Sequence, residues 1–247
     1  MLRATIDADV FREAVDAVAA LVSECRLHID GGGMRTRAVD TANVAMVSLE
    51  LAPDAFEVFE ASERALGIDV TKLKNIVGTV NRGEKLMLSV PEGGQRLNLA
   101  FQSYQYSLTL LDPNTIRKDP NAPALELPGR VVLEGARLTN AIKAASVVSD
   151  KIALGIDPEA RAFFMEAEGD TDNIRFALGS DEVESLSDVR ARSLFSLDYL
   201  KDMAKAMSRA STVEIGIGID HPVRFTFEIA NGKGRVVYLL APRIEAD

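Results

Sequence analysis

Five apolar residues, Leu197, Leu200, Met203, Ala204 and Met207, recur at three- and four-residue steps, the period of one helical face. On another face Lys201, Lys205 and Arg209 follow one another at four-residue steps. The spacing predicts a helix over 198–209 with one stripe that packs and one that is basic. The same period predicts helices over 9–21, 71–81 and 137–148. Apolar and polar residues instead alternate over 1–7, 25–30, 34–39, 44–51, 65–70, 84–90, 96–101 and 104–111, which predicts strands with one buried side. Turn chemistry separates them, as in Asp30-Gly31-Gly32-Gly33, Pro91-Glu92-Gly93-Gly94 and Ala230-Asn231-Gly232.

The pattern occurs twice. With an offset of about 127 residues, Val70, Leu73, Ile76 and Val80 fall on Leu197, Leu200, Met203 and Met207, and Lys74 falls on Lys201. Phe11 and Val15 meet Leu138 and Ile142, Leu27 and Ile29 meet Leu154 and Ile156, and the strand Leu86, Leu88, Val90 meets Val213, Ile215, Ile217. One long period means a duplicated domain and not a solenoid. Each half contains two strand-helix-strand units. Between the halves DPNTIRKDPNAPALELPG, Asp112 to Gly129, holds four prolines and little periodicity, and so reads as an extended connector. The expected class is α+β, with domains at 1–111 and 130–247 joined by the connector 112–129.

Four helices in a mostly stranded chain must each bury an apolar stripe on a sheet, which leaves their outer faces exposed. Charge then becomes informative. The chain has a formal net charge of -9, so its whole surface does not suit nucleic acid, yet Lys72, Lys74 and Arg82, then Arg137 and Lys143, then Lys201, Lys205 and Arg209 collect on three of the four helices. The first helix differs, because Asp9, Glu13 and Asp16 outweigh Arg12. The surplus acid belongs on the outer sheets, and such a balance would suit a salt-rich cytosol. Neither a membrane span nor a secretory signal is visible, which points to an intracellular protein.

Motifs for catalysis are scarce. There is no Walker loop, no G-x-G-x-x-G and no G-x-S-x-G. His28 and His221 lack flanking ligands, and the single cysteine, Cys25, reads as a small buried hydrophobe. Gly31 to Gly33 joins two strands and does not open a helix, so it reads as a hairpin turn, not a phosphate cradle. The carboxylates Glu166, Glu168, Asp170 and Asp172 alternate and could share one face of a strand, leaving a divalent-cation site as an alternative to a solvated acidic face.

Taken together, the duplication, the connector, RAVDTANVAMVSLEL (Arg37 to Leu51), LFSLDYLKDMAKA (Leu194 to Ala206) and YLLAPRIE (Tyr238 to Glu245) resemble the sliding clamps of archaea and eukaryotes, the proliferating cell nuclear antigen family. The resemblance covers the whole chain. It implies a DNA-clamp fold, with helices on one face and sheets on the other, closed head to tail as a homotrimeric ring around duplex DNA. It implies no catalytic residue, cofactor or metal, and a cytoplasmic, nucleoid-associated place of work. The partners implied are DNA polymerase, clamp loader, flap endonuclease and DNA ligase, each docking through a short peptide motif.

Carried onto this sequence, the resemblance makes Lys72, Lys74, Arg82, Lys143, Lys201, Lys205 and Arg209 the expected DNA contacts, and leaves the acidic first helix as a departure. The docking groove would be formed by Val39, Val44, Met46, Ala122, Pro123, Pro222 and the tail Leu239, Leu240, Ala241, Pro242, Arg243 and Ile244. Ala122 is smaller than the family's usual aliphatic residue, which implies a shallower pocket. Ring closure would pair the strand 104–111 of one subunit with 173–178 of the next. Two rivals stand beside this reading: a peptide-binding scaffold that never meets DNA, and a metal-dependent enzyme built on Glu166 to Asp172.

Overall fold

The structure, a computed structural model, describes residues 1–244. Glu245, the last residue of the YLLAPRIE match, lies outside the described residues. In chain order the elements are β1 (Leu2–Asp7), α1 (Ala8–Ala19), β2 (Glu24–Asp30), β3 (Gly33–Val39), β4 (Ala45–Leu51), β5 (Val58–Ala61), β6 (Arg64–Asp69), α2 (Val70–Gly78), β7 (Lys85–Val90), β8 (Arg96–Phe101) and β9 (Tyr104–Thr109). After the connector come β10 (Gly129–Leu133), α3 (Gly135–Ala145), β11 (Lys151–Asp157), β12 (Ala162–Glu168), β13 (Asn173–Gly179), β14 (Ser185–Leu186), β15 (Ala191–Ser196), α4 (Leu197–Met207), β16 (Val213–Ile217), β17 (Val223–Ile229) and β18 (Gly234–Leu240). The offset of 127 residues is visible in the elements themselves: α1 begins at Ala8 and α3 at Gly135, α2 at Val70 and α4 at Leu197.

The chain divides into two units. In the first, comprising Met1–Thr41, Met46–Asn121 and Glu228–Val236, the strands run β5-β1-β7-β8-β9 in one antiparallel row and β4-β3-β2-β6 in another. Helices α1 and α2 pack on each other and turn Phe11, Val15, Val18, Leu73 and Val77 into the core, all nearly excluded from solvent. Cys25 joins that core, and burial pushes its thiol up to about 11. The connector leaves β9 through Leu110 and Leu111. The Leu111 N–H donates to the Gly67 carbonyl at 2.9 Å, and a Cβ at Gly67 would stand 2.2 Å from the Leu111 carbonyl oxygen, so only glycine lets the chain cross β6 there.

In the second unit, comprising Ala42–Ala45, Ala122–Phe227 and Val237–Asp247, the order is β13-β12-β11-β15 in one row, while β14, β10, β16 and β17 are neighbours in another. Helices α3 and α4 pack together over Phe163, Phe195, Ile215 and Phe225, each fully buried. Burying one such side chain contributes about 1.5 to 3 kcal/mol. Among the described residues no helix is long and apolar enough to cross a membrane.

The helices end earlier than their apolar period. Helix α2 stops at Gly78 although Val80 is buried, and α3 stops at Ala145 although Val147 and Val148 follow. Strands β5 and β14 add to the expected set, and each pairs with the first strand of its half, β1 and β10.

Candidate nucleic-acid interface and docking residues

Side-chain caps start both helices of the first unit. Asp7 accepts from the Asp9 N–H and Asp69 from the Lys72 N–H, each at 2.9 Å. Burial of Val70, Leu73 and Val77 on α2 turns Lys72 and Lys74 outward, and both are well exposed. Each has a carboxylate nearby: Lys72 lies 3.3 Å from Asp69 and Lys74 lies 3.6 Å from Asp16 of α1. The hydrogen bond from the Gly83 N–H holds the Asp9 carboxyl below the usual carboxylate range, aided by Arg12 and, least, by Arg82, which follows α2.

The acid on α1 is thereby accounted for. Arg12 forms an ion pair with Asp9 and donates to the Val77 and Val80 carbonyls at 3.3 and 2.5 Å, so its guanidinium ties α1 to the end of α2. Asp9 also accepts from the Gly83 N–H at 3.0 Å, and so fixes the turn into β7. These α1 charges join two helices.

In the second unit Leu197, Leu200, Met203, Ala204 and Met207 are buried, which leaves Lys201 and Lys205 on the solvent face of α4 as their spacing predicts. The sequence pattern concealed their partners. Lys201 pairs with Asp198 at 2.8 Å and Lys205 with Asp202 at 2.7 Å, three residues upstream in each case. The hydrogen bond that Lys201 donates to Asp198 raises its ammonium above its usual pKa. Arg209 lies two residues beyond α4. On α3, Arg137 donates to the Glu182 carbonyl at 2.9 Å and lies 3.3 Å from its carboxylate. Lys143, exposed in the last turn of α3, has no ion pair among the described residues. Its charge is also favoured there by the helix dipole.

The expected docking residues are spread over both units. In the first, Val39 of β3 stands opposite Met46 of β4, with Met46 buried and Val39 half-buried. In the second, the Ala241 N–H donates to the Val44 carbonyl at 2.9 Å, Leu240 is buried and Leu239, Ala241, Pro242 and Pro222 are half-buried. Ala122 and Pro123 are exposed, and Ile244 is 92% exposed. Arg243, just before it, donates its N–H to the Leu194 carbonyl at 2.7 Å and its side chain to Asp150 at 2.8 Å.

The chain matches the model of the proliferating cell nuclear antigen N-terminal domain over residues 1–112 and that of the C-terminal domain over 131–243. The DNA polymerase sliding clamps of Methanosphaerula palustris and Methanoculleus marisnigri are 67% and 62% identical to it over 247 residues, the whole of both chains in each case. A solved structure, the C-terminal region of FEN-1 bound to A. fulgidus PCNA, superimposes with a TM-score of 0.95 at 36% identity over 100% of each chain. The chain belongs to the proliferating cell nuclear antigen family.

Three features carried no chemistry after folding. The alternate carboxylates of the metal alternative do not converge: Glu166 pairs with Arg175 at 2.6 Å and Arg192 at 3.3 Å, while Asp170 and Asp172 follow β12 in a turn closed by the Gly169 N–H on the Asp172 carbonyl. Among the described residues no three His, Cys, Asp or Glu side chains gather as a metal site. His221 is held by the Ile219 carbonyl, and Gly31 to Gly33 closes the β2–β3 hairpin with the Gly32 N–H on Asp30 at 2.7 Å. Sequence reasoning missed the acids at Asp198 and Asp202; the signal was their position three residues before each lysine.

Proposed function

We propose that this chain works as a DNA polymerase sliding clamp, three copies of which close into a ring around duplex DNA and hold partner enzymes through short peptides. One observation carries the ring. Leu111 lies against β6, and β15 receives the N–H groups of Asp220 and Arg243, but β9 and β13 each end their row of strands with one neighbour. Two bare edges of six and seven residues invite aggregation in a monomer. Pairing 104–111 of one copy with 173–178 of the next uses each edge once, and a three-fold head-to-tail contact closes.

In that ring Lys72, Lys74, Arg82, Lys143, Lys201, Lys205 and Arg209 meet phosphates without reading sequence. Lys143 has no ion-paired carboxylate to give up. Lys72, Lys74, Lys201 and Lys205 each exchange an exposed aspartate pair, worth about 0 to 1 kcal/mol, for a phosphate. Weak contacts suit a protein held by topology and required to slide. Peptides from polymerase, clamp loader, flap endonuclease and ligase dock on Val39 and Met46 of the first unit and on Val44, Ala122, Pro123, Pro222 and the tail 239–244 of the second, through apolar anchors. The ring performs no chemistry itself, and it works in the cytoplasm at the nucleoid.

Light scattering tests the assembly. A particle of three times 26.7 kDa, retained on closed circular DNA and released when the circle is cut, is the expected result. A monomer at every salt concentration would overturn the ring. Unchanged low-salt affinity for linear duplex DNA in Lys143→Ala with Lys205→Ala would remove these lysines from the DNA contact.

A further inference from the structure

Strands β2 and β3 are paired only near their turn, through His28↔Arg35, Ile29↔Met34 and Asp30↔Gly33. The Thr36 hydroxyl then donates to the Arg26 carbonyl at 2.7 Å, and beyond it the strands part. A cavity of about 430 Å³ opens there, with Glu24 to Arg26 on one wall, Arg37 to Val39 on another, and Ile116 to Lys118 of the connector beside them. All of these residues belong to the first unit.

Cations dominate its lining. Arg26 donates from Nη2 to the Ile116 carbonyl at 2.7 Å, Arg37 from Nε to Ser48 Oγ at 3.0 Å, and Arg117 from Nη1 to the Asp40 carbonyl at 2.9 Å. The Ile116 carbonyl and the Ser48 hydroxyl are neutral, so they orient the guanidinium groups of Arg26 and Arg37 without cancelling their charge. Lys118 has no partner among the described residues, and Glu24 is the one carboxylate that lines the cavity. The Arg26 Nε is buried with no acceptor. A buried donor left open on a charged group is costly, and nearby like charges add repulsion. An anion in the cavity would relieve both.

We propose that this cavity takes the carboxylate side chain of an acidic residue flanking the motif of a docked partner peptide. The inference rests on the peptide-docking reading above. Val39 belongs to both the cavity lining and the expected docking set, so a peptide anchored at Val39 passes the cavity mouth. Charge complementarity then selects acidic flanks over neutral or basic ones.

The test uses the full chain and a labelled synthetic peptide copying the C-terminal region of an archaeal FEN-1, with Glu-Glu or Gln-Gln added at either end. Fluorescence anisotropy should show Glu-Glu at one end binding about tenfold more tightly than Gln-Gln, as one charge-assisted hydrogen bond implies. That advantage should shrink with added salt and vanish in Arg37→Gln with Lys118→Gln, while the Gln-Gln peptide binds the variant as before, showing that the fold is intact. Equal affinities for Glu-Glu and Gln-Gln at both ends would overturn the anion site and leave docking standing. Failure of every peptide would overturn the docking reading and this inference with it. Inorganic phosphate that binds the cavity when Glu-Glu gives no advantage would assign the site to a free anion and overturn the peptide proposal.

Discussion

Asp150, at the entrance to β11, accepts a hydrogen bond from the Arg243 guanidinium at 2.8 Å, and the Arg243 N–H is bonded to Leu194. The tail that carries the exposed Ile244 is therefore held one residue before it. Arg243 lowers the Asp150 pKa, chiefly through their hydrogen bond. A carboxylate with a depressed folded-state pKa stabilises at pH values above its unfolded pKa, and that contribution is lost as pH falls through the folded value. Exchange of the Arg243 amide, corrected for its intrinsic rate, should stay slow at neutral pH and accelerate only at pH values below the ordinary aspartate pKa of 3.8. Asp150→Asn should show the faster exchange already at neutral pH. Equal protection in both proteins would mean that the backbone bond alone holds the tail.

Arg12 makes a second prediction, because its guanidinium closes the end of α2 from α1. Arg12→Ala leaves the Val77 and Val80 carbonyls without that donor and Asp9 without its ion pair. The expected loss is about 1.5 to 3 kcal/mol, the range for a hydrogen bond to a charged group. Urea unfolding measures it. Arg12→Lys should recover only part, since an ammonium cannot reproduce the guanidinium fork.

The Arg12 contacts also show where the sequence stopped being readable. Period and alternation placed the four helices and most strands because each buries one face, and a buried face leaves a regular imprint. Strands β5 and β14 left none: they are four and two residues long and none of their residues is fully buried. The lysines of α4 were legible as a stripe, but their pairing with Asp198 and Asp202 depends on rotamers that spacing does not dictate. The acid on α1 looked like a departure from a basic surface. Its purpose appears only when Val80 and Gly83, some seventy residues away in sequence, come beside it. The cavity beside Arg26 was equally hidden, because β2 and β3 alternate normally while their ladder ends early.

Helix α3 offers a steric test. A Cβ at Gly135 would lie 2.2 Å from the Met207 carbonyl oxygen and 2.6 Å from that of Ala210, closer than any real contact. Both obstacles are backbone at the end of α4, so no rotamer change relieves them. Gly135→Ala should destabilise the protein by about 1 to 3 kcal/mol, despite alanine's better helix propensity. Gly78→Ala, with open space around its Cβ, is the matched control and should be neutral or mildly stabilising. A melting temperature that falls for Gly135→Ala alone would attribute the loss to the α3–α4 approach.

The aspartates of α4 give the sharpest test of the proposed DNA face. Lys201 and Lys205 are exposed, yet each is within 3 Å of a carboxylate on its own helix. A phosphate must therefore compete with Asp198 and Asp202, and it also meets their negative charge. Asp198→Asn with Asp202→Asn removes both obstacles while keeping side-chain size. Affinity for duplex DNA at low salt should rise in the variant. It should also depend more steeply on salt, because two more lysines become fully available to displace counterions. The advantage should disappear near molar salt, where the screening length is about 3 Å. Thermal stability should change little, since exposed pairs of this kind contribute about 0 to 1 kcal/mol. Affinity unchanged at low salt would place the α4 lysines away from the phosphates and leave Lys143 as the main electrostatic contact.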